Sequence, residues 1–130
     1  RGYKSVIHLR DLDYQAVEYA SDLSSGAGMA AMQNLLKDNP PDAVFAVSDT
    51  LAAGALRAIQ QAGLRVPEDI AVVGFDGTEL ADMISLTTIE QPSRDIGRKA
   101  VNLLLNKIDN PDAPTERVMM DWRFISRAST

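Results

Sequence analysis

Two apolar runs without a charge, residues 43–47 and 70–74, bracket an alanine-rich helical pattern, and this arrangement constrains the chain more than any other feature. Each run has the length of a strand. Continuous apolar character of this kind suits strands covered on both faces, as in a parallel sheet. Between the runs, Leu51, Ala55, Ala58, Ile59 and Ala62 recur at helical spacing. Asp49 stands where a helix N-cap belongs, and Gly63 where a left-handed residue closes the helix. The stretch predicts a β-α-β unit with a right-handed crossover.

Both strands run out on an acid, in Val47-Ser48-Asp49 and in Gly74-Phe75-Asp76. In open α/β sheets ligands bind outside the carboxyl ends of the strands. The unit therefore offers two carboxylates on one rim. Asp49 has an alternative use as a helix cap. Asp76 precedes Gly77 and so has an alternative use as a turn residue, but it is the stronger ligand candidate.

The flanking sequence continues the alternation. Residues 1–9 read as the tail of a helix, and residues 14–19, YQAVEY, as a strand. Ser24 or Ser25 caps a helix whose apolar positions are Met29, Met32, Leu35 and Leu36, with the methionines filling core space. Residues 78–84 suit a short helix and residues 86–90 a short strand. Ser93 then caps the most amphipathic helix of the chain, with Ile96, Ala100, Leu103, Leu104 and Ile108 on one side. Residues 118–125 alternate and read as a half-covered edge strand, with Trp122 packed. Such alternation predicts an α/β layered fold.

At 130 residues the chain is one domain or part of one, and 45% hydrophobic content is enough for a core. The absence of cysteine fits a reducing compartment and excludes a disulfide scaffold. A net charge of −5 argues against this segment wrapping a nucleic-acid backbone. No apolar run approaches a membrane span. The single histidine, His8, has no second histidine or cysteine with which to hold a metal and reads as a surface or packing residue, so neither a metal nor a cofactor is expected.

No glycine-rich dinucleotide loop, P-loop or nucleophile elbow is present. The run VVGFDGT resembles the D-x-D-G-T motif of haloacid-dehalogenase-like phosphatases, but the nucleophile position is Gly74, which has no side chain to attack phosphorus. Binding is the better use for these acids. A carboxylate accepts from neighbouring hydroxyls, as sugars and other polyols present them. No enzyme activity is expected.

Taken together, SDTLAAGALRAIQQAGLRVPEDIAVVGFDGTELA followed by LTTIEQPSRDIGRKAVNLLL resembles the lactose/galactose repressor (LacI/GalR) family. Gly28-Met29-x-Ala31 and the closing R-A-S-T fit as well. The resemblance covers nearly the whole chain, most weakly over residues 1–19. It implies the carboxyl-terminal part of an effector-binding domain with a type I periplasmic-binding-protein-like fold: an α/β, parallel-sheet three-layer sandwich, here the second subdomain and so a partial domain. Residues 1–90 would be that subdomain. Residues 91–117 would be a crossover helix packed on a first subdomain, and residues 118–130 a return strand and tail. Without its partner, that helix would fold back or swap onto a second copy.

The function implied is effector binding and dimerisation in a cytoplasmic LacI-type transcriptional regulator, with operator DNA bound only through a helix-turn-helix region outside this chain. The effector would be a small polar molecule, in the first place a sugar, and no membrane partner is implied. By position, Asp76 matches the family's ligand-contacting aspartate. Ser48 and Asp49 match positions facing the cleft, and Gln91 and Ser93 positions near the crossover. Leu23 falls where an aromatic often stacks on ligand. Leu51, Ala52, Ala55, Leu56 and Ile59, on the first helix after Ser48, together with the segment after Asp76, resemble the family's dimer surface, where small residues would permit close approach. A periplasmic sugar-binding protein of an ABC transporter is the alternative of the same fold, and an upstream helix-turn-helix separates the two.

Overall fold

The computed structural model describes residues 2–10, 12, 16–37 and 39–130. In chain order the elements are α1 (Gly2–Leu9), α2 (Ser25–Leu35), β1 (Ala43–Phe45), α3 (Asp49–Gln61), β2 (Ala71–Asp76), α4 (Glu79–Met83), β3 (Thr87–Glu90), α5 (Ser93–Asp109) and β4 (Arg123–Ile125). The strands form a four-stranded sheet in the order β1-β2-β3-β4. β1 and β2 pair in parallel with Val44 opposite Val72, and β2 and β3 in parallel with Gly74 opposite Thr88. β4 returns antiparallel to β3, with Thr88 opposite Ile125. The sheet is therefore mixed: the expected parallel pairing holds for three strands, and the return strand runs the other way.

Helix ends follow local chemistry. The Ser24 hydroxyl accepts the Ala27 N–H at 3.2 Å and starts α2. Ser48, not Asp49, is the N-cap of α3, its hydroxyl accepting the Leu51 N–H at 3.2 Å. Asp49 is displaced by one position, into the first turn, where a negative charge still suits the helix dipole. Gly63, at φ +76°, takes the left-handed position that ends this helix. At α5 the N-cap position belongs to Pro92 and no side chain caps it; the Ser93 hydroxyl only approaches the Gln91 carbonyl, at 3.5 Å.

The core lies on one face of the sheet. Met32 of α2, Ala52, Ala55, Ala58 and Ile59 of α3, Val72 of β2, Ala81 of α4, and Ile70 and Leu86 beside the strands form one buried cluster. Burying a side chain such as Ile59 or Leu86 contributes about 1.5–3 kcal/mol. α2 and α3 meet at backbone contact: a Cβ on Gly54 would run into the backbone of Ser25 and Met29, and one on Gly28 into that of Leu51. The opposite face is thinly covered. Phe45 and Phe75 meet there edge to face, ring centroids 6.3 Å apart, and Phe45 is still half-exposed.

Several expectations change. Leu51, Ala52, Ala55 and Ile59 do not form a surface for a second copy; all four are buried inside this chain. The small residues of α3 serve its contact with α2 and the sheet, and Leu56 is half-buried against the same core. Residues 16–20 form no strand, because β propensity without a partner edge makes none; Tyr14 and Gln15 lie outside the described residues. The alternating run 118–125 pairs only over Arg123–Ile125, and Trp122 is exposed rather than packed. α5 does not fold back: none of its residues is buried, and Val101, Leu104, Leu105 and Ile108 are exposed.

The tail is fastened beneath the strand starts. The Ser129 hydroxyl donates to the Val72 carbonyl at 2.6 Å and accepts the Thr87 N–H at 2.8 Å. The Arg127 guanidinium donates to the Leu86 carbonyl at 2.7 Å.

Candidate functional site

β2 and β3 end side by side, and a crevice of about 620 Å³ opens at their carboxyl ends. Asp76, Thr78, Glu90, Gln91, Ser93 and Arg94 are among its lining. Asp76 is half-buried on its rim, at φ 116°, a backbone region that side chains rarely adopt. Its Oδ1 accepts the Gln91 side-chain amide at 3.1 Å, and its carbonyl accepts the Gln91 N–H at 3.2 Å. Two predicted site residues, from the ends of different strands, are thus in contact. Ser93 lies on the same crevice, exposed at the start of α5.

The other candidates are placed differently. Asp49 is completely buried. Its Oδ2 accepts the Thr78 N–H at 2.7 Å and the Thr78 hydroxyl at 2.8 Å, and its Oδ1 accepts the Thr88 hydroxyl at 2.6 Å. A carboxylate so occupied is a bracket between elements and not an open contact for ligand, which corrects the ligand reading of Asp49. Ser48 is buried too, its hydroxyl engaged on α3. Leu23 is 68% exposed in the bend before α2 and does not line the crevice.

Gly74 explains how Asp49 fits. A Cβ at that position would lie 2.5 Å from Asp49 Oδ1 and 2.7 Å from a methyl of Leu86. An aspartate side chain has no room there.

Thr78, Thr88, Glu90 and Arg94 escaped the sequence reading. Glu90 pairs with Arg123 across the β3–β4 ladder. The adjacent threonines of L-T-T-I were the only signal for Thr88. A second depression, about 360 Å³ between Gln33, Leu36, Lys37, Ala58, Gln61 and Ala62, has no carboxylate in its wall and lies away from the strand ends. Among the described residues no cluster of three histidine, aspartate or glutamate side chains can hold a metal, and no helix is long and apolar enough to cross a membrane.

A strand-end crevice with an acid on its rim, on an α/β sheet that exposes one helix face, defines a ligand-binding module of the periplasmic type. The chain belongs to the periplasmic binding protein-like domain family, whose profile matches residues 1–130. The HTH-type transcriptional repressor CytR of Escherichia coli (strain K12) is 43% identical over 112 residues, 84% of this chain and 33% of that protein. The chain thus spans about a third of the length of that relative. A LacI family transcriptional regulator from Enterococcus faecium, with bound ribose, superposes with a TM-score of 0.87 at 32% identity, over 99% of this chain and 49% of that one. The lac repressor dimer bound to operator and the anti-inducer ONPF gives a TM-score of 0.88 at 31% identity, over 99% and 46%. The resemblance to LacI/GalR regulators read from the sequence is borne out, as is the assignment to part of their effector-binding domain.

Proposed function

We propose that this chain supplies one wall of the effector cleft of a LacI-type transcriptional regulator, and that its effector is a sugar or a similarly hydroxylated small molecule. The observation that carries the reading is Asp76, held at the rim of the crevice beside Gln91. One Asp76 oxygen is occupied by Gln91, which leaves acceptor capacity on the carboxylate for ligand hydroxyls. Hydrogen bonds to a charged group contribute about 1.5–3 kcal/mol each. The relative with bound ribose makes a pentose the first ligand to test.

The rest of the regulator follows from what this chain leaves open. The apolar residues of α5, exposed here, pack against the other half of the effector-binding domain, and residues 91–117 form the crossover. Gln91 and Ser93 sit at that boundary, where closure of the two halves reaches the ligand. Dimerisation and operator binding belong to the full-length protein, as in the lac repressor dimer on its operator, and that protein works in the cytoplasm. Within this chain the dimer contact shifts away from the buried face of α3 to the segment just after Asp76, where Met83 at the end of α4 is 76% exposed. The crevice turns over no substrate. Repressors among the relatives favour a regulator over a transport protein of the same fold.

The test is a thermal-shift screen of ribose, other sugars and nucleosides against the full-length regulator, since a ligand that binds only the folded state raises its melting point. A rise with one of these classes supports the reading. A flat response to all of them, with operator binding intact, contradicts it.

A further inference from the structure

Asp49 is a fully buried carboxylate that touches no opening, yet its two oxygens hold the turn after β2 and the middle of β3. Thr78, bound through both its N–H and its hydroxyl, stands two residues beyond Asp76. Thr88, bound at 2.6 Å, stands three residues before Gln91. Asp76 and Gln91 are themselves joined, side chain to side chain at 3.1 Å and backbone to backbone at 3.2 Å. The four residues and Asp49 close a ring under the crevice floor. Within it Asp76 keeps a φ of 116°, and a backbone in such a region persists only where its surroundings over-determine it. Gly74 lies inside the ring, and its missing Cβ is the space that Asp49 Oδ1 uses.

We propose that Asp49 is a positioning residue for the crevice. It clamps the turn after β2 to the middle of β3, and so presets the Asp76 carboxylate against Gln91 before any ligand arrives. It makes no contact with ligand itself. Its meaning for binding rests on Asp76 being a ligand group, but the preset geometry exists without ligand and is measured without one.

The test uses the full chain, with glutamine side chains labelled with ¹⁵N and no ligand added. The side-chain amide of Gln91 reports its bond to Asp76, while Gln60 and Gln61, exposed on α3, give the positions of solvated amides. In the unaltered protein one Gln91 amide proton stands apart from those references. Thr78→Val and Asp49→Asn bring it back to the solvated position, and Thr78→Ser, which keeps the hydroxyl, leaves it displaced. If Asp49→Asn does not fold, Thr78→Val and Thr88→Val decide. Folded variants that melt lower but keep the displaced Gln91 signal overturn the proposal, because Asp49 then only stabilises. A Gln91 signal that is solvated in the unaltered protein overturns it too. Failure of every sugar to bind would instead count against the proposed function and leave this measurement intact.

Discussion

The Thr88 hydroxyl reaches the buried Asp49 carboxylate at 2.6 Å and joins β3 to the first turn of α3 across thirty-nine residues of sequence. A hydrogen bond to a charged group contributes about 1.5–3 kcal/mol. Thr88→Val keeps the shape and removes the donor. Urea unfolding should show a loss of about 2 kcal/mol in Thr88→Val. An unchanged midpoint would mean that Asp49 is satisfied without Thr88.

Gly54 and Gly26 should respond to alanine with opposite signs. Gly54 faces the backbone of Ser25 and Met29 with no room for a Cβ, whereas a Cβ on Gly26 meets only the Ser24 hydroxyl at 3.7 Å. Overpacking costs about 1–3 kcal/mol and more where backbone must move, so Gly54→Ala is strongly destabilising. Gly26→Ala stabilises by about 0.5 kcal/mol, from helix propensity and a less free unfolded chain. Melting points of the two variants check the pair of signs.

Much of this was legible in the sequence, and the boundary is physical. The β-α-β unit showed because period and punctuation are local: two charge-free runs, a helical stripe between them, and Gly63 at its end. Asp76 showed because the second run stops on an acid before a glycine. Asp49 carries the same local signature, yet it is buried and bonded within the chain. Its burial depends on Thr78 and Thr88, which only the folded sheet brings near. The small residues of α3 suit any close approach, a second copy's as well as an internal one, and Gly28 on α2 takes it up within the chain. The length of β4 was illegible because a strand ends where its partner does, and β3 offers only Thr88–Glu90.

Ser129 ties the tail to two strands at once, accepting the Thr87 N–H and donating to the Val72 carbonyl, and it is almost fully buried. Ser129→Ala leaves a buried N–H without a partner, at a cost of about 1–3 kcal/mol. Chemical denaturation should report that loss. Hydrogen exchange at Thr87 should speed up more than at Val73, the residue opposite it in the ladder.

The loop before β2 makes a pH prediction. Arg65 donates from its guanidinium and its backbone N–H to Asp69, and this lowers the Asp69 carboxyl from 3.8 to about 2. A carboxylate depressed on folding adds stability that is present above its unfolded pKa and lost as pH falls through the folded one, so the contribution fades between about pH 4 and 2. The pair is exposed and its effect on stability is small. Carboxyl titration by NMR should place Asp69 near 2 and return it toward 3.8 in Arg65→Ala.

The central claim is that the Asp76 carboxylate grips a small hydroxylated molecule. Titration calorimetry on the full-length regulator, with the sugar or nucleoside that gives the largest thermal shift, measures it directly. Asp76→Ala should weaken that binding at least about tenfold, about 1.4 kcal/mol, while operator binding persists. Equal affinity in the two proteins would contradict the account.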